Sequence, residues 1–250
     1  MRSLILLVIL GLSCHLQSQI LNAESLRRVT DTSGWSGSVS AEFALKRNVN
    51  DFITLGSDIH LQYKTEKNLW LIKNDIQFQK IEDDKFTNAG ILHFRHNYKM
   101  RPRLAWETFV QAQYNKVTKI NFRGLVGIGP RFKLTTSEKY KFYLGTLIMY
   151  EQEELDDGVT PVNRDFRGSA YLSFSLYPTD NITIISTTYY QPLVSSFADF
   201  RISSQSSAII GLVKNLGLKV SYTFWFDEFP AVGIPDSQYT FTTGIAYTFD

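Results

Sequence analysis

Cysteine is almost missing from this 250-residue chain, and no long apolar run follows its first residues. The one cysteine, Cys14, lies inside the apolar N-terminal stretch, so the rest of the chain has no thiol for a disulfide, a thiolate metal site or a cysteine nucleophile. Excess charge of one sign is also missing, because 26 Lys and Arg oppose 24 Asp and Glu, a net charge of +2. So small an imbalance provides no electrostatic footprint for nucleic acid, which we do not expect as a partner.

Residues 1–18 have the order of a secretory signal peptide. Arg2 follows Met1, an apolar stretch covers 4–12, and small or polar residues lead to Ser18. We expect cleavage after Ser18, because the apolar run is about half of the roughly twenty residues that a membrane-anchoring helix needs. An uncleaved anchor and a lipoprotein modified at Cys14 are the less favoured interpretations.

Apolar and polar residues alternate through most of the remaining chain. Period two is typical of a strand with one apolar and one polar face. The alternation is clear over 35–46, 53–63, 104–114, 120–134, 140–150, 166–177, 216–227 and 239–249, and less regular over 69–80, 88–98, 182–191 and 200–213. These segments predict about twelve strands, each long enough for a tilted membrane crossing.

The connectors between these segments tend to alternate in length. Short turns are predicted at 65–68, 100–103, 135–139, 178–181 and 214–215, and longer or more polar loops at 46–51, 81–86, 152–165, 192–199 and 228–236, with 116–119 as a short exception. Outer-membrane barrels have short periplasmic turns and longer outer loops. We therefore predict an all-β, antiparallel, up-and-down transmembrane β-barrel over 35–250, preceded by a periplasmic lead segment over 19–34.

Aromatic residues and interior charges both favour a membrane barrel. Aromatics make up 14% of the chain, many of them near strand ends, as in interfacial girdles. Charged and polar residues on the polar faces are predicted to line the lumen: Asp58, His60, Asp75, His93, Arg95, Glu107, Arg123, Arg131, Lys133 and Arg167. We favour an ion-paired network of these groups over a dedicated anion pathway, because buried charges are normally paired. Outer-membrane lipids and the barrel-insertion machinery, which would read the last strand ending at Phe249, are the expected partners.

Catalysis is not expected, because the sequence contains no Gly-x-Ser-x-Gly or His-Glu-x-x-His pattern. No metal or cofactor is predicted. Three alternatives remain: a barrel enzyme acting on lipid or peptide, a soluble periplasmic lipocalin-like binding barrel, and an adhesin using the acidic segment 151–157. The favoured function is a narrow channel or a structural, stress-related envelope protein with a charged lumen.

Several short motifs resemble those of a known family. The segments 19–27 and 32–37, Tyr114-Asn115-Lys116, Arg123-Gly124, and 129–132 are similar to the domain-of-unknown-function family of salt-induced outer-membrane proteins (YdiY-like), in its Bacteroidetes form. The resemblance covers nearly the whole chain after the signal. It implies an outer-membrane barrel and brings no established activity, substrate or catalytic residue.

Overall fold

The computed structural model describes residues 33–47, 51–81, 85–135, 137, 139–213 and 216–247. The predicted signal peptide at 1–18, nearly all of the lead segment at 19–34, and Phe249 lie outside these residues. In the described part of the chain, no helix has the length and apolar character to cross a membrane.

Twelve antiparallel strands follow one another in sequence order and form a single meandering sheet. They are β1 (Gly34–Arg47), β2 (Asp51–Lys64), β3 (Asn68–Ile81), β4 (Lys85–Arg101), β5 (Leu104–Asn115), β6 (Ile120–Lys133), β7 (Tyr140–Leu155), β8 (Asn163–Thr179), β9 (Ile182–Pro192), β10 (Phe200–Val213), β11 (Leu216–Asp227) and β12 (Ser237–Tyr247). The predicted all-β, up-and-down fold and its strand count are confirmed.

The strand ends define two ends of the molecule. The last residues of β2, β4, β6, β8, β10 and β12 lie at one end, called here the turn end, together with the start of β1. The last residues of the odd-numbered strands lie at the other, the loop end. The predicted loop over 152–165 is shorter than expected, because β7 continues to Leu155 and β8 begins at Asn163. The acidic segment 151–157 is therefore mostly strand, and the surface loop is 156–162.

The two faces of the sheet have opposite chemistry, and the polar face is the buried one. On β5, Trp106 and Val110 are 43% and 50% exposed, whereas Glu107 between them is fully buried. The same alternation occurs on β6, where Val126 and Ile128 are exposed and Arg123 is fully buried. A soluble lipocalin-like barrel would bury the apolar face and expose the polar one, so this pattern is the reverse of that alternative.

The sheet curves tightly around its polar face. Tyr171 on β8 donates a hydrogen bond to Glu107 on β5 at 2.9 Å, although two strands separate them in the sheet. Arg201 on β10 likewise reaches Glu151 on β7. The polar side chains therefore meet across an enclosed barrel interior. Among the residues that the structure describes, the paired strands are consecutive ones, and no ladder joining β1 to β12 is recorded.

Aromatic rings form rows on the outer face near both ends. Near the turn end, neighbouring rings of one row are in contact, with centroids 4.9, 5.8 and 5.2 Å apart along Trp35, Tyr63, Trp70 and His96. His96 is the fourth ring of this row on the outer face. It lies on that face in regular register with Trp70 and bonds Asn68 at 2.9 Å. Near the loop end the rings are Tyr150, Phe166, Tyr190, Phe200 and Phe226.

Candidate functional site in the barrel interior

A buried cluster of charges fills the loop-end part of the interior, and Glu151 is at its centre. The carboxylate of Glu151 accepts hydrogen bonds from Arg123 at 2.5 and 2.8 Å, from Arg167 at 3.0 Å and from Arg201 at 2.8 Å. These arginines come from β6, β8 and β10, so one carboxylate holds three strands of the wall together. Buried charges are tolerated only when they are paired in this way.

Further acidic groups complete this cluster, named here the arginine cluster. Glu153 bonds Arg201 at 2.7 Å, Asp227 bonds Arg201 at 2.8 Å, and Asp199 pairs with Arg167 at 2.8 Å. Three arginines therefore face four carboxylates, and the charges nearly balance. Such a layer fills this part of the interior with paired charges.

The middle of the interior is packed with aromatic and aliphatic side chains. They form one cluster of buried residues: Phe109, Leu125, Leu147, Met149, Tyr171 and Tyr189. Beside it, Arg95 lies 3.3 Å from Glu107, which also accepts the Tyr171 hydroxyl. A void here measures about 20 Å³, which is room for about one water molecule. Side chains therefore pack closely in this part of the interior, between β4 and β9.

The turn end contains a larger cavity of about 290 Å³ with a strongly basic lining. Five of its cations belong to the ends of β2 and β4 and the turns after them: Lys64, Lys67, Lys99, Arg101 and Arg103. Three more come from β6 and β7: Arg131, Lys133 and Lys141. Glu66 is the one acidic residue among its lining residues. This mouth, called here the basic vestibule, therefore has a large excess of positive charge.

Three loops meet over the opposite mouth. Asp157 in the β7–β8 loop accepts hydrogen bonds from the hydroxyl of Thr160 at 2.6 Å and from the backbone of Val232, in the β11–β12 loop, at 3.3 Å. Lys119, from the β5–β6 turn, donates to the Val232 carbonyl at 2.7 Å. The Thr160 hydroxyl bond, followed by backbone bonds from Thr160, Val159 and Val232, holds the pKa of Asp157 well below its usual range. The loops thus cover the loop end.

Eight of the ten residues predicted to line the lumen are buried: His60, Asp75, His93, Arg95, Glu107, Arg123, Arg131 and Arg167. Asp58 is partly exposed and forms an ion pair with Lys73, which also lies near Asp75. Lys133 is half-buried in the basic vestibule. The structure brings Arg123 and Arg167 into one cluster and Arg95 and Arg131 around Glu107.

Sequence reasoning missed the acidic partners of the arginine cluster. Glu151 and Glu153 were assigned to a surface loop, although they share the parity of the inward-facing Leu147 and Met149. Arg201 is the second residue of β10 and Asp227 is the last of β11, and alternation gives little signal so close to a strand end. Parity continued past Tyr150 would have placed both glutamates inside.

The histidines of the interior have partners other than a catalytic serine. His93 bonds the side chain of Gln111 at 2.9 Å and stacks on Phe109. Within the described residues, no group of three or more His, Cys, Asp or Glu could hold a metal ion. The described interior is arranged as paired charges and packed rings, with the basic vestibule as a polar opening at the turn end.

Some solved structures of membrane proteins resemble this chain weakly. A NanC porin is 8% identical with a TM-score of 0.49, and the match covers 86% of this chain and 98% of that one. The β domain of the Bordetella autotransporter BrkA is 12% identical with a TM-score of 0.40, covering 87% and 99%. OpdL of Pseudomonas aeruginosa is 9% identical with a TM-score of 0.39, covering 85% and 81%. Scores this low carry no argument of their own.

Sequence comparison with families is more specific. No curated protein matches the chain. The family described as "Protein of unknown function, DUF481" matches residues 32–249, which includes every strand of the barrel. The chain therefore belongs to the DUF481 family.

Proposed function

We propose that this protein is an outer-membrane β-barrel that acts as a narrow channel, closed in the conformation described here. The observation that carries the proposal is the reversed burial of the sheet, with apolar side chains exposed outward and charged side chains enclosed. In water, the outward face would be a large exposed apolar patch. In a bilayer, the same face is in contact with lipid.

The aromatic rows support a membrane setting. Rings such as Trp70 near the turn end and Phe200 near the loop end flank an apolar band that includes Val126, Ile128 and Ile148. Interfacial aromatics on both sides of an apolar band are typical of outer-membrane barrels. Outer-membrane lipids are therefore the first proposed partners, with the turn end on the periplasmic side.

The layered interior supports a closed channel over an open pore. Packed rings at mid-height and the arginine cluster near the loop end both occupy the barrel interior. The arginine cluster is nevertheless polar, and its ion pairs can separate and be hydrated, which a hydrocarbon plug cannot do. A structural barrel that never opens is the alternative, favoured by the packed middle.

Other parts of the proposal rest on the sequence. A stress-related, salt-induced role of the YdiY-like kind, in the Bacteroidetes form, rests on the family resemblance alone. Delivery by a cleaved signal at 1–18 and recognition by the insertion machinery through Phe249 concern residues outside the described ones. We propose no enzymatic activity and no cofactor.

Conductance in planar bilayers tests the channel. The wild-type barrel should show rare, small ion steps, and Glu151→Gln should show more frequent openings, because three arginines lose their shared carboxylate. Glu154→Gln is the matched control, since Glu154 lies on the same strand and bonds Asn121 at the exposed surface. Unfolding of both variants is followed in parallel, so that a leak from a damaged barrel is recognised. Silence from all three folded proteins at every voltage would exclude the channel and leave the structural barrel.

A further inference from the structure

We infer that the basic vestibule is a binding site for a small phosphate-bearing anion. Eight of its lining side chains are cationic and one is acidic. The other charged layers differ, since the arginine cluster opposes three arginines with four carboxylates. Positive charge is therefore concentrated at one mouth. A concave, low-dielectric site focuses such a field on an incoming anion.

The inner wall of the vestibule is rigid and polar. Arg131 is 5% exposed, and its guanidinium lies over the ring of Tyr143 at 3.9 Å, which holds it in place. Asn97, 6% exposed, lines the same wall, and its amide oxygen has no hydrogen-bond partner among the described residues. Rotation of this amide presents its NH₂ group to the cavity as a donor. A guanidinium and an amide at the base of a basic cavity suit an oxyanion.

The rim of the vestibule is exposed and basic. Lys99, Arg101 and Arg103 are exposed around the opening, where long cationic side chains can close on a bound anion. An adjoining groove of about 520 Å³ shares Lys99 and Arg101 and extends past the exposed Met100. The anion therefore has a solvent-facing entrance at the turn end.

Size limits the ligand. A cavity of about 290 Å³ is at the lower end of the range for small-molecule sites, roughly 300–1,000 Å³. It has room for a phosphorylated small solute or for one phospholipid headgroup, and not for a folded polymer. The two sources share the phosphate group, and the experiment below separates them.

This inference extends the proposed function by naming the solute class, and it rests on that function only for the route that a bound anion would follow. Calorimetric titration of the full-length barrel in detergent, with sodium pyrophosphate as the probe, tests it without any conductance. Wild-type protein should bind pyrophosphate at low salt and release it as salt rises, because the rim charges are screened. Lys99→Gln with Arg101→Gln should weaken binding by about tenfold or more, since two charge-assisted contacts are lost.

The matched control removes the same charge elsewhere. Lys116→Gln with Lys139→Gln neutralises two exposed lysines that do not line the vestibule, and it should leave binding unchanged. Absence of pyrophosphate binding to folded wild-type protein, or an equal loss in both double variants, would overturn the inference. Bilayer silence together with specific binding would overturn only the channel.

Nanodiscs distinguish the two sources of phosphate. If a lipid headgroup occupies the vestibule, nanodiscs containing phosphatidylglycerol should weaken pyrophosphate binding relative to phosphatidylcholine nanodiscs, through competition. If the natural ligand is a free solute, the two nanodiscs should bind pyrophosphate alike. Either result supports the phosphate site and assigns its source.

Discussion

Arg201 and Glu151 meet inside the barrel, with one guanidinium nitrogen 2.8 and 2.9 Å from the two carboxylate oxygens. Arg201 is the second residue of β10 and Glu151 lies near the end of β7, so the contact spans two intervening strands at the loop end. The same arginine binds Glu153 and Asp227. A single side chain therefore ties three strands together, and its removal should affect the barrel as a whole.

Arg201→Met should destabilise the folded barrel by about 3–5 kcal/mol, because Glu151, Glu153 and Asp227 would keep buried charges without this partner. Urea unfolding in lipid vesicles measures the change. Arg164→Met is the control. Arg164 is exposed on β8, so this substitution should change the free energy of unfolding little. A similar small loss in both variants would show that the arginine cluster does not stabilise the barrel.

Gly145→Ala should destabilise the barrel by about 1–3 kcal/mol, through overpacking. A Cβ at this position would lie 2.1 Å from the ring of Tyr171, which is itself held by Glu107. Gly168→Ala should be tolerated, because its nearest neighbour, Pro192, would be 3.6 Å away. Paired unfolding curves compare the two variants, and equal stability would mean that Tyr171 does not occupy this position.

Val126→Lys should impair folding into lipid vesicles, with a cost of about 2–4 kcal/mol if Val126 faces the middle of the bilayer. Val126 is half-exposed on the outer face of β6. Val159→Lys places the same charge in the exposed β7–β8 loop and should fold normally. Wild-type protein that stays soluble without detergent, with both variants equally well folded in water, would contradict the membrane assignment.

Asp157→Asn should loosen the loops over the loop end, because Asp157 accepts bonds from Thr160 and Val232. The folded pKa of Asp157 is lowered below the ordinary value near 4, chiefly by the Thr160 hydroxyl bond. Its stabilising contribution is therefore complete above that ordinary pKa and is lost only as pH falls through the lower folded pKa. Limited proteolysis of 156–162 should show protection in the wild type at pH 5 and 7 and faster cleavage in Asp157→Asn at both.

The number of strands and the two faces could be predicted from the sequence. Period two assigns each residue to one face without knowledge of any contact, and turn residues separate one strand from the next. Glu107 and Arg123 were therefore assigned to the polar face, and in the structure both are fully buried. Alternation was not applied to Glu151 and Glu153, because the predicted strand ended at Tyr150, before the observed end of β7.

Alternation says nothing of how far along the barrel axis a residue lies or which strand faces it. The sequence favoured a network among the inward charges, yet Arg123 and Arg131, only eight positions apart on β6, belong to opposite ends of the interior. Arg123 joins the neutralised arginine cluster, whereas Arg131 lines the basic vestibule. Strand register and curvature separate them.

The amino-acid sequence by itself determined the strand count, the order of connections and the opposite chemistry of the two faces, because these depend on local period and turn residues. Only the tertiary structure decided that Glu151 serves three arginines, that loops from distant strands cover one mouth, and that positive charge gathers at the other. Those features depend on contacts between residues as far apart as Asp157 and Val232, whose meeting is set by the curvature of the whole sheet.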